Sequence, residues 1–324
     1  LLRLIRRGGR CHEFRPGRLC GAGAFVLPAD TPEGVRRRDD LHNQVAADLF
    51  IPAGGRPETI NERNWRRFLD AEGRPTARAM VEAANIFISD EARRRLERRG
   101  LLVAPGSSAN KTGVICSSYE ILAGLVLSES EFLAIKDEFV RELLVILRAR
   151  ARAEARLLLR ERALAGGTRP LTELSFELSR AINALADRIF EVLAAEVPDP
   201  AADPVLARAL LAYCPASLAR PYGERLLRDV PRPHQLALLA KHISARMHYH
   251  EGLDWAERLL RSRPAGAVVR AYLEGSERVD ELLRGLARSR LAGRGELERI
   301  VRAAGRRRLA LDRLGFDQAR RSRS

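Results

Sequence analysis

Apolar residues follow two different rhythms along this chain. Between Ala46 and Val114 short apolar runs alternate with amphipathic stretches, as in a parallel α/β sheet. Beyond Val114 the period is helical throughout. The first region predicts strands at residues 47–51, buried, at 78–84 and at 101–104. Thr59 and Glu62 have capping-box spacing for a helix through Trp65, Phe68 and Leu69. Ser89-Asp90-Glu91 opens a second helix that stops at Gly100 after Arg98 and Arg99, with acids at its start and bases at its end as the helix dipole favours.

In the second region Ser128 and Glu131 form another capping box. The helix it opens is expected to run to about residue 164, with Phe132, Ile135, Phe139, Leu143 and Ile146 on one face, until Gly166-Gly167-Thr168-Arg169-Pro170 breaks it. Further helices are predicted at 173–195, 204–212 and 234–249, and onward through Arg-rich segments to 314. Residues 1–45 read as an irregular connecting segment in which only 24–27 resembles a strand, and 318–324 should fray.

Two β-α-β units in series imply right-handed crossovers and a ligand at the carboxyl ends of the strands. Those ends are Pro52-Ala53-Gly54-Gly55, Asn85, and the polar segment from Pro105 to Gly113. The paired glycines let backbone approach a flat or anionic ligand, and they equally suit an ordinary turn before Pro57. Asn85 can donate and accept at once, as a ribose hydroxyl or carboxamide requires; it also suits a turn ahead of Ser89. In the third loop Asn110 offers an amide, Gly113 a bare backbone, and Ser117 sits seven residues on, about two turns if that stretch is helical. With no evident His partner, Ser117 reads as a hydrogen-bond donor to a carboxylate rather than a nucleophile.

A length of 324 residues allows two domains, each with its own core. The net charge of +15 raises the question of nucleic acid, yet only Lys111, Lys136 and Lys241 are lysines and the arginines are spread along every helix. Solvated helix faces explain that pattern better than a phosphate-binding surface, so nucleic acid is not an expected partner. The longest apolar run, 121–127, is too short to span a bilayer, and a cytoplasmic location with reduced cysteines is expected. His248-Tyr249-His250 splays its rings apart on a helix, and Cys11-His12 with Cys20 lacks the other half of a zinc site; no metal is predicted. The chain opens Leu1-Leu2-Arg3, which suggests a longer parent.

The segments 48–61, Asp-Leu-Phe-Ile-Pro-Ala-Gly-Gly-Arg-Pro-Glu-Thr-Ile-Asn, and 110–120, Asn-Lys-Thr-Gly-Val-Ile-Cys-Ser-Ser-Tyr-Glu, resemble the glutamate/leucine/phenylalanine dehydrogenase superfamily, and within it the large NAD-specific glutamate dehydrogenases. The resemblance covers about residues 46–165 and extends to the segment from His242 to Trp255. It implies an α/β fold, the second half of a doubly wound, Rossmann-like parallel sheet followed by an all-α C-terminal region. Its segments would be an irregular connector (1–45), the C-terminal half of an NAD-binding domain (46–127) and a helical region (128–324). By the same resemblance Ala53 and Gly54 lie by the adenosine of NAD, Asn85 near the nicotinamide ribose and Asn110 near the carboxamide, while Ser117 binds the side-chain carboxylate of glutamate. Lys111 and Thr112 stand where the commoner A-N-A-G-G pattern has small residues.

Such enzymes oxidise L-glutamate with NAD and water to 2-oxoglutarate and ammonia, which takes a lysine of lowered pKa and a carboxylate to move protons. No lysine here has the Gly-rich context of that catalytic residue, and the G-x-G-x-x-G fingerprint is absent; Cys20-Gly21-Ala22-Gly23-Ala24 reads as a turn. The expectation is a C-terminal fragment that holds no catalytic residue, is inactive alone, and works with the missing N-terminal part of the same enzyme in a homo-oligomer. The competing expectation is an Arg-rich helical module that binds polyanions or another protein.

Overall fold

The computed structural model describes residues 31–39, 46–54, 56–197, 199–261 and 263–313; the expected strand at 24–27, the turn at Cys20 to Ala24, Cys11-His12 and the fraying end lie outside them. The chain divides into two compact units, 1–103 and 104–324.

The first unit opens on helix α1 (Pro32–Asp39), within the stretch expected to be irregular. Thr31 starts it by accepting the Gly34 N–H at 3.1 Å, with Pro32 in the first turn where its missing N–H is harmless. Strands β1 (Ala47–Phe50), β2 (Ala77–Val81) and β3 (Leu102–Ala104) form a small parallel sheet in the order β1-β2-β3. β1 and β2 pair through Ala47 with Ala77, Leu49 with Ala79 and Phe50 with Met80.

Two expectations for this unit are corrected. β1 is not buried: Ala47, Asp48 and Leu49 are exposed, because β1 is the edge of the sheet among the described residues. The helix expected after Thr59 is only a 3₁₀ turn, Trp65–Phe68. The Thr59 hydroxyl donates back to the Arg56 carbonyl, and Asn64 takes the Asn61 N–H at 2.8 Å while giving its own amide to Thr59 O. These local bonds offer the backbone a turn in place of a helix. Glu62 leaves the capping role and accepts the Ser89 hydroxyl at 2.7 Å.

Helix α2 (Asp90–Glu97) forms as its caps predict, with Ser89 accepting the Ala92 N–H and Gly100 in the left-handed region at φ 95°. Its Leu96 and Ala92 pack with Ile60, Phe68, Met80, Ile88 and Val103 into one small core. Beneath them lies a buried ion pair: Arg93 meets Glu82 at 3.4 Å, and Glu82 also accepts the Ile88 N–H.

The second unit is helical. A short turn, α3 (Gly106–Ala109), leads into α4 (Lys111–Val126). The Ser128–Glu131 capping box is present and starts α5 (Glu129–Leu164). Gly166 and Gly167, both at positive φ, reverse the chain into α6 (Leu171–Glu196). There follow α7 (Pro204–Tyr213), α8 (Ala216–Asp229), α9 (Arg232–Glu251), α10 (Trp255–Leu260), α11 (Ala265–Arg288) and α12 (Arg294–Arg313). Helix α8 was not predicted; Pro221 interrupts its pattern and kinks it at Tyr222.

One core joins α6, α7, α9 and α11 through Ile189, Leu210, Ile243 and Tyr272. A second joins α4, α5, α7 and α8 through Tyr119, Phe139, Tyr213 and Leu218. Helix α12 lies close against α11, where a Cβ on Gly305 would stand 2.9 Å from the Val279 side chain.

Candidate functional site

In the first unit the loops that follow β1 and β2 are tied together by backbone. Ala84 N–H donates to Pro52 O at 2.6 Å, Glu58 N–H to Ile86 O at 2.6 Å, and Ile60 N–H to Phe87 O at 3.1 Å. Ala53 and Gly54 therefore lie beside Asn85, as neighbours of bonded residues, and all three are exposed. A Cβ on Gly54 would meet nothing within 4 Å, so its bare backbone faces open space.

Glu58 and Ile86, joined by one of those bonds, both sit in the left-handed region at φ 53° and 55°. For non-glycine residues that backbone stores roughly 1–3 kcal/mol apiece, and it fixes the two turns at the strand ends. Neither residue was among the expected site residues. The only signal was their place at strand ends, because neither type announces a left-handed turn.

In the second unit the segment expected as a loop is helical from Lys111. The reason is packing: Tyr119, Leu122, Ala123 and Val126 on one side of α4 are buried in the core shared with α5, α7 and α8. Asn110 stands at the helix N-cap with φ −97° and ψ −2°, and its side chain makes no capping bond. Ser117, exposed, donates its hydroxyl to Gly113 O at 3.3 Å. At about 100° per residue, Asn110 and Ser117 lie within about 20° of each other around the helix. Gly113 and Val114 between them are exposed, and a Cβ on Gly113 would also meet open space. The face thus presents one amide, one hydroxyl and uncovered backbone.

Away from that face, polar contacts hold the start of α4 and the turn before it. Ser108, two residues before Asn110, shares a hydrogen bond with Ser175 at 2.6 Å. Lys111 grips both oxygens of Glu154 on α5 at 2.8 and 2.6 Å, and Tyr249 on α9 donates to the same carboxylate at 2.6 Å. Further along, Arg150 lies over the rings of Tyr119 and Tyr213 and donates to the Tyr119 hydroxyl at 2.6 Å. Burial raises the Tyr119 phenol far above its ordinary value, and burial also raises the Cys116 thiol, with the neighbouring Glu120 adding to it. Neither group is an ionised nucleophile at neutral pH.

Two histidines of the helical unit are set into its packing. His248 Nδ1 is bonded to the Ser244 carbonyl at 2.8 Å, and burial lowers the pKa of both His242 and His248. Among the described residues no group of three or more His, Cys, Asp or Glu side chains is placed to hold a metal ion, and no helix is long and apolar enough to cross a membrane.

Strand-end loops tied by backbone lie in the first unit, and an amide and a hydroxyl stand together on one helix face in the second. Residues 25–165 match the family model described as glutamate/leucine/phenylalanine/valine dehydrogenase. Over that segment the chain is similar to this dehydrogenase family. It is 32% identical over 273 residues to a probable NAD-specific glutamate dehydrogenase of Schizosaccharomyces pombe, covering 77% of this chain and 24% of that protein. It is 31% identical over 277 residues to glutamate dehydrogenase 2 of Dictyostelium discoideum (78% and 26%), and 28% over 283 residues to the NAD-specific glutamate dehydrogenase of Saccharomyces cerevisiae (78% and 26%). The chain spans about a quarter of the length of the curated relatives it matches. No solved structure matches it.

Proposed function

We propose that this chain forms the nicotinamide and glutamate wall of an NAD-dependent glutamate dehydrogenase, which converts L-glutamate, NAD and water to 2-oxoglutarate, ammonia and NADH. The observation that carries the reading is one face at the start of α4, on which the half-buried cap residue Asn110 and the exposed Gly113 and Ser117 stand together in the segment that matches the family. When bound, NAD supplies the hydride acceptor. The chain's own residues bind and orient: Ala53 and Gly54 by the adenosine, Asn85 at the nicotinamide ribose, Asn110 at the carboxamide. Ser117 gives its hydroxyl to the side-chain carboxylate of glutamate. The open space above Gly54 and Gly113 suits close approach of a flat ligand.

The sheet is read as the second half of a doubly wound one, whose first half continues from the exposed edge of β1. That half would bring the Gly-rich fingerprint, and a separate substrate domain would bring the catalytic lysine and carboxylate. The chain alone is then inactive. We place the complete enzyme in the cytoplasm as a homo-oligomer. The Arg-rich binding module has less support, because many arginines already answer acids, as Arg208 does Glu277, Arg270 Asp203, and Arg306 Asp280.

In the intact enzyme Ser117→Ala should raise the Michaelis constant for glutamate by the loss of roughly 1–3 kcal/mol, the range for a hydrogen bond to a charged group, with little change in the constant for NAD. Unchanged glutamate kinetics would remove Ser117 from the site.

A further inference from the structure

We propose that Lys111 is a positioning residue, which sets the rotation of α4 about its own axis and so aims Asn110 and Ser117 at their ligands. The inference rests on the reading of that face as the nicotinamide and glutamate wall. Lys111 stands where related patterns have a small residue, and a small side chain has no reach to the neighbouring helices. Here its ammonium closes on both oxygens of Glu154, whose side chain is 6% exposed, and Tyr249 completes the carboxylate's shell from α9. Three helices thus meet on one buried carboxylate. Two residues before Asn110, Ser108 is anchored to Ser175 on α6, so Asn110 is bracketed by fixed points.

A buried ion pair of this kind contributes little net stability compared with apolar packing, because desolvation offsets the attraction. Its effect is geometric. Lys111 projects about 100–120° around the helix from Asn110 and Ser117, so a tether on that side resists rotation of the ligand-facing side. On a helix about 10–12 Å across, a rotation of roughly 20° moves a side-chain tip by about 2 Å. Displacements of about 1 Å already lower rates by roughly a hundredfold when reacting groups must align. With both carboxylate oxygens on its ammonium, Lys111 itself is not placed to touch substrate.

The test has two parts. In this chain, amide hydrogen exchange over the first two turns of α4 should quicken about tenfold or more in Lys111→Met, and return towards the parent rate in Lys111→Arg. In the intact enzyme, Lys111→Met should lower kcat about tenfold or more and raise the Michaelis constants for both NAD and glutamate. Ser117→Ala, in contrast, should move the glutamate constant alone. Lys111→Arg should recover most of the loss, which a role in bulk stability would not require below the melting temperature. Should Lys111→Met fold poorly, Glu154→Gln keeps the shape and removes the charge, and it should move the same constants in the same direction. Unchanged constants in a folded Lys111→Met or Glu154→Gln enzyme, while Ser117→Ala still raises the glutamate constant, would overturn the positioning role and leave the site reading standing. Unchanged constants in all of these variants would overturn both.

Discussion

The two units of this chain reach order by different means. The helical unit has two apolar cores, each built from at least four helices, and its charged groups sit mainly along the outside. Among the described residues the α/β unit has one small core, a three-stranded sheet with an exposed edge, and a buried Arg93–Glu82 pair. Burying apolar surface contributes stability in proportion to area, so the helical unit is the better supported of the two. The α/β unit depends more on a few polar links whose geometry must be right. Among the described residues β1 is the edge of that sheet, with Ala47, Asp48 and Leu49 exposed.

The strongest way to break this comparison is Arg93→Leu. It removes the Arg93 guanidinium from Glu82, which is 1% exposed, and the loss should be about 3–5 kcal/mol, the range for breaking a buried pair from one side. Hydrogen exchange should show the loss in β2 and α2, with α6, α9 and α11 still protected. Equal loss of protection across both units would mean that the two do not differ in the way described.

A smaller effect sharpens the picture of the helical unit. Burial pushes the Glu251 carboxyl up to about 7 from 4.5, against the pull of Arg307, Arg306 and Arg160. The folded chain keeps a proton there that the unfolded chain releases above pH 4.5, so the stability this group contributes is present below pH 4.5 and lost as pH rises through 7. After allowance for its partial exposure, Glu251→Gln should gain ~1 kcal/mol at pH 8 and nothing at pH 4, read from urea melts. The same gain at both pH values would show that the carboxyl does not titrate this way.

Smallest is the cap. Ser128→Ala removes the acceptor of the Glu131 N–H and breaks the box that starts α5, for a loss of at most about 1 kcal/mol in thermal melts. No change at all would mean that Arg225, which also holds Glu131 at 2.7 Å, suffices to fix the helix start.

Legibility in the sequence followed how local each signal is. The Ser89 and Ser128 caps, the stop at Gly100 and the break at Gly166-Gly167 were all readable, because each rests on a backbone requirement met within a few residues. The helix expected after Thr59 failed on equally local grounds: Asn61 and Asn64 compete for the same backbone groups, and a two-residue capping pattern does not register that competition. Helix α8 was missed because Pro221 breaks the periodicity, while Leu218 and Leu226 are fully buried against α4 and α5 and hold the helix together across the kink. Of the candidate site, Gly54, Asn85, Asn110 and Ser117 could be named from motif order. Glu58 and Ile86 could not, since their left-handed turns are imposed by the bond between two loops far apart in sequence.

By itself, then, the sequence determined the kind of chain: an α/β region followed by helices, the bounds of α5, α6, α7 and α9 to within about two residues, and a family-specific segment carrying an amide and a hydroxyl seven residues apart. Periodicity and capping act over one or two turns, and residue order carries them in full. Tertiary structure alone decided that β1 is an exposed edge among the described residues, that the segment from Lys111 to Gly113 is helix rather than loop, and that Lys111 turns away to Glu154 and Tyr249. Those outcomes depend on which distant residues arrive beside a given side chain, and partners 43 and 95 positions from Glu154 leave no local trace in the sequence around it.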